Sequence, residues 1–135
     1  MVLTQNDSRR EAKVVSTVVR ALNGIGALVA GGFAVVAWID PTLVLPGGTG
    51  YPGAEFAAEG YAARQLPLTA VLVFLLARPA RMGLIPVLVL AGLVQLADVA
   101  IGVAWGKPNM VIGGGLLAAI HLITAVWLSR RVESR

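Results

Sequence analysis

The sequence contains no cysteine. That excludes disulfides, thiolate zinc sites, iron–sulfur clusters and thiol-redox chemistry, and with them the disulfide-forming type of four-helix membrane enzyme. Histidine is nearly absent too. One residue, His121, cannot supply two axial haem ligands, and a His–carboxylate metal site needs more donors than His121 and Asp98 provide. No metal and no cofactor is expected. Charge is scarce as well, at 13% of residues against 57% hydrophobic. Soluble domains carry about 25% charged residues, so this chain has too little polar surface to coat a water-soluble globule. Lipid is the alternative solvent. The mean hydropathy of +0.80 agrees.

A net charge of +4 and a pI near 10.4 would elsewhere suggest nucleic acid. Here the basic residues cluster beside apolar runs instead of forming a solvated face, so no nucleic-acid partner is expected. The glycine-rich stretches "GGTG" and "IGGGL" lack the strand, lysine and Ser/Thr context of a phosphate loop. No serine stands out as a nucleophile.

Four runs reach the ~20 apolar residues that a ~30 Å hydrocarbon core requires. They are 21–39 ("ALNGIGALVAGGFAVVAWI"), 61–77 ("YAARQLPLTAVLVFLLA"), 84–105 and 110–128 ("MVIGGGLLAAIHLITAVWL"). The expected fold is all-α: a polytopic four-helix transmembrane bundle over 21–128, in contact with the lipid bilayer. "MVLTQNDSRREAK" is polar before the first run, which is itself long enough to span, so it reads as an uncleaved helix and not a signal peptide. Nine of the eleven basic residues (Arg9, Arg10, Lys13, Arg20, Arg78, Arg81, Arg130, Arg131 and Arg135) fall on one side, leaving Arg64 and Lys107 on the other. Positive charge stays cytoplasmic. Residues 1–20 and the basic tail 129–135 are therefore expected inside, and the long Pro/Gly-rich 40–60 loop outside. "ARPARMG" and "GKPN" read as tight connections. "AEFAAEGYAARQ" reads as a short helix at the outer interface leading into the second run, with Pro67 kinking the path.

Small and polar residues mark the faces that meet. Lipid is as apolar as leucine, so membrane helices associate through close backbone approach and polar contacts. The first span offers Asn23, Ala27, Gly31 and Ala34 at helical spacing; the fourth offers Gly114, Ala118, His121 and Ala125. In the third, Ala91, Gln95, Asp98, Gly102 and Trp105 fall within about 80° at ~100° per residue. Val89, Leu93, Leu96, Ala100 and Val103 form the opposite, wholly apolar face. Asp98 is thus expected to point into the bundle.

A carboxylate inside a span costs about 2.5–3.5 kcal/mol on insertion scales, so a partner or water must offset it. Arg64 starts the second span from the same outer side and can reach Asp98. With Gln65, Gln95 and His121 they could line one outward-opening cavity, with Glu59, Trp105 and Asn109 around its mouth. Asp98, His121 and Arg64 are the candidate catalytic residues; Gln65, Gln95, Glu59, Trp105 and Asn109 are the candidate ligand-binding ones. The plainer readings are an ion pair that only fixes helix register and a histidine that only bonds a neighbouring helix. Loop carboxylates are usually merely solvated, and the indoles of Trp38, Trp105 and Trp127 anchor in the headgroup zone. Asn23, toward the cytoplasmic end, reads as structural.

At "YAARQLPLTAVLVFLLARP", "LVQLADVAIGVAWGKPN" and "AAIHLITAVWL" the chain resembles the DoxX-like group of small four-helix membrane proteins of bacteria and fungi. Those proteins tend to open their second span with an arginine and a polar neighbour and to carry an acidic residue late in the third. Arg64, Gln65 and Asp98 match, while Pro67 stands where a small residue is expected. The resemblance implies a fold and a bacterial plasma-membrane location, and no reaction. The function expected from the residues is a site for a lipophilic small molecule, with proton transfer (isomerisation, epoxide opening or cyclisation) as the chemistry Asp98 and His121 would suit. The alternative is a non-catalytic subunit of a larger membrane complex. A lesser one is a dimeric transporter, although the small multidrug exporters place their carboxylate in the first span, where this chain has Asn23.

Overall fold

The computed structural model describes residues 5–43, 53–78 and 83–133, with side chains between 13 and 132. Residues 1–4, most of the expected outer loop (44–52), the connection 79–82 and the end of the basic tail (134–135) lie outside the described residues, as do the side chains of Arg9, Arg10, Arg81 and Arg135.

Four helices follow one another: α1 Gln5–Ile39, α2 Ala54–Ala77, α3 Leu84–Ala104 and α4 Pro108–Glu133, with a short 3-10 turn at Pro41–Leu43. All four are long and apolar enough to cross a membrane. The chain is a multi-pass membrane protein built as a four-helix bundle. Its 35-residue α1 rises ~52 Å at 1.5 Å per residue, well beyond the hydrocarbon core. The polar start of the chain is therefore a continuation of the first span, because Arg, Glu, Ala and Lys are strong helix formers. Likewise α2 begins at Ala54, directly after Gly53 in the left-handed region (φ 88°). "AEFAAEG" extends the second span as one helix instead of lying apart from it, and α2 runs on through Pro67.

Successive helices are antiparallel. Arg20 Nη2 of α1 donates to the carbonyl of Arg78 at the end of α2 (3.3 Å), while Gly31 lies against Thr69. Both described chain ends consequently share one end of the bundle, here the terminal end; the α1–α2 and α3–α4 connections share the other, the loop end. At the terminal end the cations lie over aromatic rings, Arg78 over Phe74 at 4.2 Å and Arg131 over Trp127 at 4.0 Å. Such pairs suit a headgroup zone, where the ring is apolar and the cation wet.

The helices pack as two hairpins, α1–α2 and α3–α4, each close along its length and touching the other more sparsely. Glycine makes the close approaches. A Cβ on Gly92 would run into Leu122, one on Gly114 would press on the Gln95 carbonyl at 3.1 Å, and one on Gly31 would collide with Thr69. The α3–α4 turn closes with Lys107 N–H bonded to Gly102 O (2.7 Å) and Gly106 N–H to Val103 O (3.2 Å). This is a Schellman closure with Gly106 at φ 60°, followed by Pro108 as the first residue of α4. In the terminal half the interior is filled by Leu72, Leu76, Leu84, Leu88 and Leu128. Toward the loop end it is lined by Ala30, Ala34, Ala37, Ala58, Ala62 and Ala118 with buried Gln65, Gln95 and Asp98.

Gly114→Leu should therefore separate α3 from α4 and lower stability in detergent by about 1–3 kcal/mol, as overpacking against backbone does. Gly113→Leu, where nothing lies within 4 Å, should be neutral or better, since leucine is the stronger helix former. Thermal melts of the two variants, equal in midpoint, would contradict this packing.

Candidate functional site

Asp98 sits about four turns along α3, on the face that carries Ala91, Gln95 and Gly102, and is 5% exposed. A carboxylate there must find a cation. Arg64, two and a half turns into α2, supplies it: its Nη2 donates to Asp98 Oδ1 at 2.7 Å. Its other face lies over the Tyr61 ring, 5.6 Å from the centroid. The pair is asymmetric in exposure, the arginine side chain being 40% open and the carboxylate 8%. Arg64 thus reaches from the lipid or solvent side inward, and Asp98 is held at the bundle interior. The ion pair ties α2 to α3 across the seam between the hairpins.

Gln65 is the next residue of α2, turned ~100° away and 3% exposed. Its Nε2 reaches Thr69 Oγ1 at 3.4 Å, and Thr69 Oγ1 in turn donates to the Ala27 carbonyl at 3.3 Å. Gln95 is also buried, at 5% exposure. It sits one turn before Asp98, its carbonyl beside Gly114 of α4. Arg64 and Asp98 meet, as the sequence suggests, while no described hydrogen bond joins Gln65 or Gln95 to that pair.

His121 is not part of that group. It is 2% exposed, and its Nδ1 lies 2.7 Å from Asn23 Oδ1 on α1. Asn23 Nδ2 donates to the Val19 carbonyl and to Thr124 Oγ1, both at 2.8 Å. A carbonyl only accepts, so the amide nitrogen must face Val19 and the oxygen must face His121. Nδ1 therefore carries the proton and donates, leaving the Nε2 lone pair as the free position of the neutral ring. Along the axis, Gly114 marks the level of Gln95 and Val99, while Leu122 meets Gly92. His121 lies seven residues past Gly114, ~10 Å nearer the terminal end. The single cavity expected to join it with Asp98 is replaced by two separate polar clusters. The periodicity of α4 puts His121 on the inward face correctly; counting residues from the span end sets it level with Gln95, about one turn too shallow. The Asn23–His121–Thr124 network was the part sequence reasoning missed. Thr124, one turn beyond His121 on the same face, was the available signal.

Three other candidates stay at the periphery. Trp105 is 75% exposed at the end of α3, and Glu59 and Asn109 are exposed. None of the three makes a described hydrogen bond to the cluster. Trp105 is the exception on its face because the helix ends there and Gly106 turns the chain away. No group of three or more His, Cys, Asp or Glu that could hold a metal occurs among the described residues.

No protein-family model, no curated protein and no solved structure matches this chain.

Two outcomes test the geometry. Arg64→Ala strands a buried carboxylate, whereas Arg64→Gln with Asp98→Asn strands none, so the double variant should melt above the single one. A cycle should give a coupling of about 1–2 kcal/mol, below the 3–5 kcal/mol of a fully buried pair because Arg64 is part exposed. For His121, nitrogen NMR of the folded protein should show the proton on Nδ1 and a bare Nε2. The opposite tautomer would break the Asn23 assignment.

Proposed function

We propose that the loop-end cluster is the functional site of a small plasma-membrane protein of bacterial type. In this reading it binds a lipophilic small molecule between the two hairpins and, in the presence of a suitable substrate, moves a proton on it. The observation that carries the reading is the buried Asp98 bonded to a single nitrogen of a half-exposed Arg64. Ionisable groups within a span are costly and are kept where they serve a pathway or a ligand. A purely structural pair would more naturally be closed on both sides. Here the arginine keeps an open flank, from which its remaining N–H groups can meet an incoming polar head.

Asp98 is then the acid or base, and Arg64 the residue that orients the head group and stabilises negative charge developing on an oxygen. His121 drops out of the chemistry, since its proton-bearing nitrogen is engaged by Asn23 two turns away; its place is helix association. Gln65 and Gln95 line the site. Isomerisation, epoxide opening and cyclisation all fit this pairing of an acid–base residue with an anion stabiliser. The positive-inside bias supports a cytoplasmic terminal end and an outward-facing loop end. Membership of the DoxX-like group, for which Arg64, Gln65 and Asp98 are the matching residues, is part of the same proposal.

The test is retention of lipophiles. Native mass spectrometry of gently extracted protein should show a bound small molecule that Asp98→Asn loses while keeping its helicity, and that an Arg64→Gln/Asp98→Asn double variant of restored stability also loses. Equal retention in the variant would remove Asp98 from the site.

A further inference from the structure

Hydrogen-bond accounting around Gln65 points to the kind of head group the site takes. Thr69 has one hydroxyl proton, and the Ala27 carbonyl, which can only accept, receives it. The Gln65 group that faces Thr69 must therefore be the NH2, donating to the hydroxyl oxygen. This fixes the amide's orientation. Its oxygen, Oε1, is then turned away from Thr69, fully buried, and has no hydrogen-bond partner among the described residues. One turn before Asp98 on the facing helix, Gln95 is buried too, and no described hydrogen bond reaches its side chain.

Backbone carbonyls in a helix are satisfied internally, but a side-chain acceptor in a lipid-surrounded interior has neither water nor a neighbour to fall back on. Arg64 bonds Asp98 through one nitrogen and lies over Tyr61, and no described hydrogen bond runs from it to Gln65. No described residue supplies a partner for Gln65 Oε1, and whatever does must bring a proton, because an amide oxygen accepts only. The buried alanines of the same half, Ala30, Ala34, Ala58 and Ala62, are small and apolar, suited to a hydrocarbon body beside that head.

We propose that the site selects a neutral lipophile whose head carries a hydroxyl. The hydroxyl donates its proton to Gln65 Oε1. This rests on the ligand-binding reading above and specifies its ligand class: a long-chain alcohol, and not an ether, ester or hydrocarbon of the same length.

The experiment uses the full chain in nanodiscs with tritiated 1-hexadecanol as the bound probe. Unlabelled 1-hexadecanol should displace it about tenfold better than methyl hexadecyl ether, a difference of ~1.4 kcal/mol. Gln65→Met should lower alcohol affinity to the ether's level and leave the ether's unchanged. Should that variant fail to fold, Thr69→Val serves instead, since it frees the amide to turn and should erode the preference. Equal displacement by alcohol and ether, full preference retained in either folded variant, or no binding of the alcohol by a protein that still retains another lipophile would each overturn the inference and leave the binding site standing. A protein that retains no lipophile at all overturns both.

Discussion

Helices surrounded by acyl chains gain almost nothing by hiding leucine from lipid, so what binds the two hairpins of this protein together is a pair of polar cross-links. Arg64–Asp98 joins α2 to α3 toward the loop end, and Asn23 with His121 and Thr124 joins α1 to α4 nearer the terminal end. In a low-dielectric surrounding such contacts cannot be exchanged for water, and each fixes the rotation of two helices at once. Within each hairpin the logic differs. α3 and α4 approach through Gly92, Gly102 and Gly114, and α1 and α2 add the Thr69–Ala27 bond to the fit of Gly31. Dispersion between close backbones supplies the remainder.

That division explains why the interior is uneven. Leucines fill the terminal half, where the side chains Leu72, Leu88 and their neighbours meet. Alanines and amides occupy the loop half, where bulk would push the hairpins apart before Arg64 could reach Asp98. Charge and volume are thus set by the same requirement. The ion pair needs the helices near each other, and the small residues around it permit this.

Much of the architecture was legible in the residues. The inward stripes read from spacing, Asn23–Ala27–Gly31–Ala34 in α1 and Gly114–Ala118–His121–Ala125 in α4, are buried throughout. The apolar face of α3, Val89 to Val103, is exposed. The Arg64–Asp98 contact followed from two charges starting at the same side of adjacent spans. Helix ends were less legible, because hydropathy reports where lipid begins and not where the backbone stops being helical; α1 and α2 both start earlier than their apolar runs. Depth was least legible of all. Helix offset depends on loop geometry and on which glycine meets which side chain, so the partner of His121 could not be found by counting from span ends. Nor could the fate of the Gln65 oxygen, which is decided by one proton on Thr69.

The leucine floor gives the molecule a directional character. A guest arriving from the loop end would meet, about halfway through, a plug built from Leu72, Leu76, Leu84, Leu88 and Leu128. The two ends of the molecule are thus unequal, one filled with hydrocarbon and the other with alanines, amides and an ion pair. Passage to the opposite leaflet would require the hairpins to be prised apart at that leucine layer.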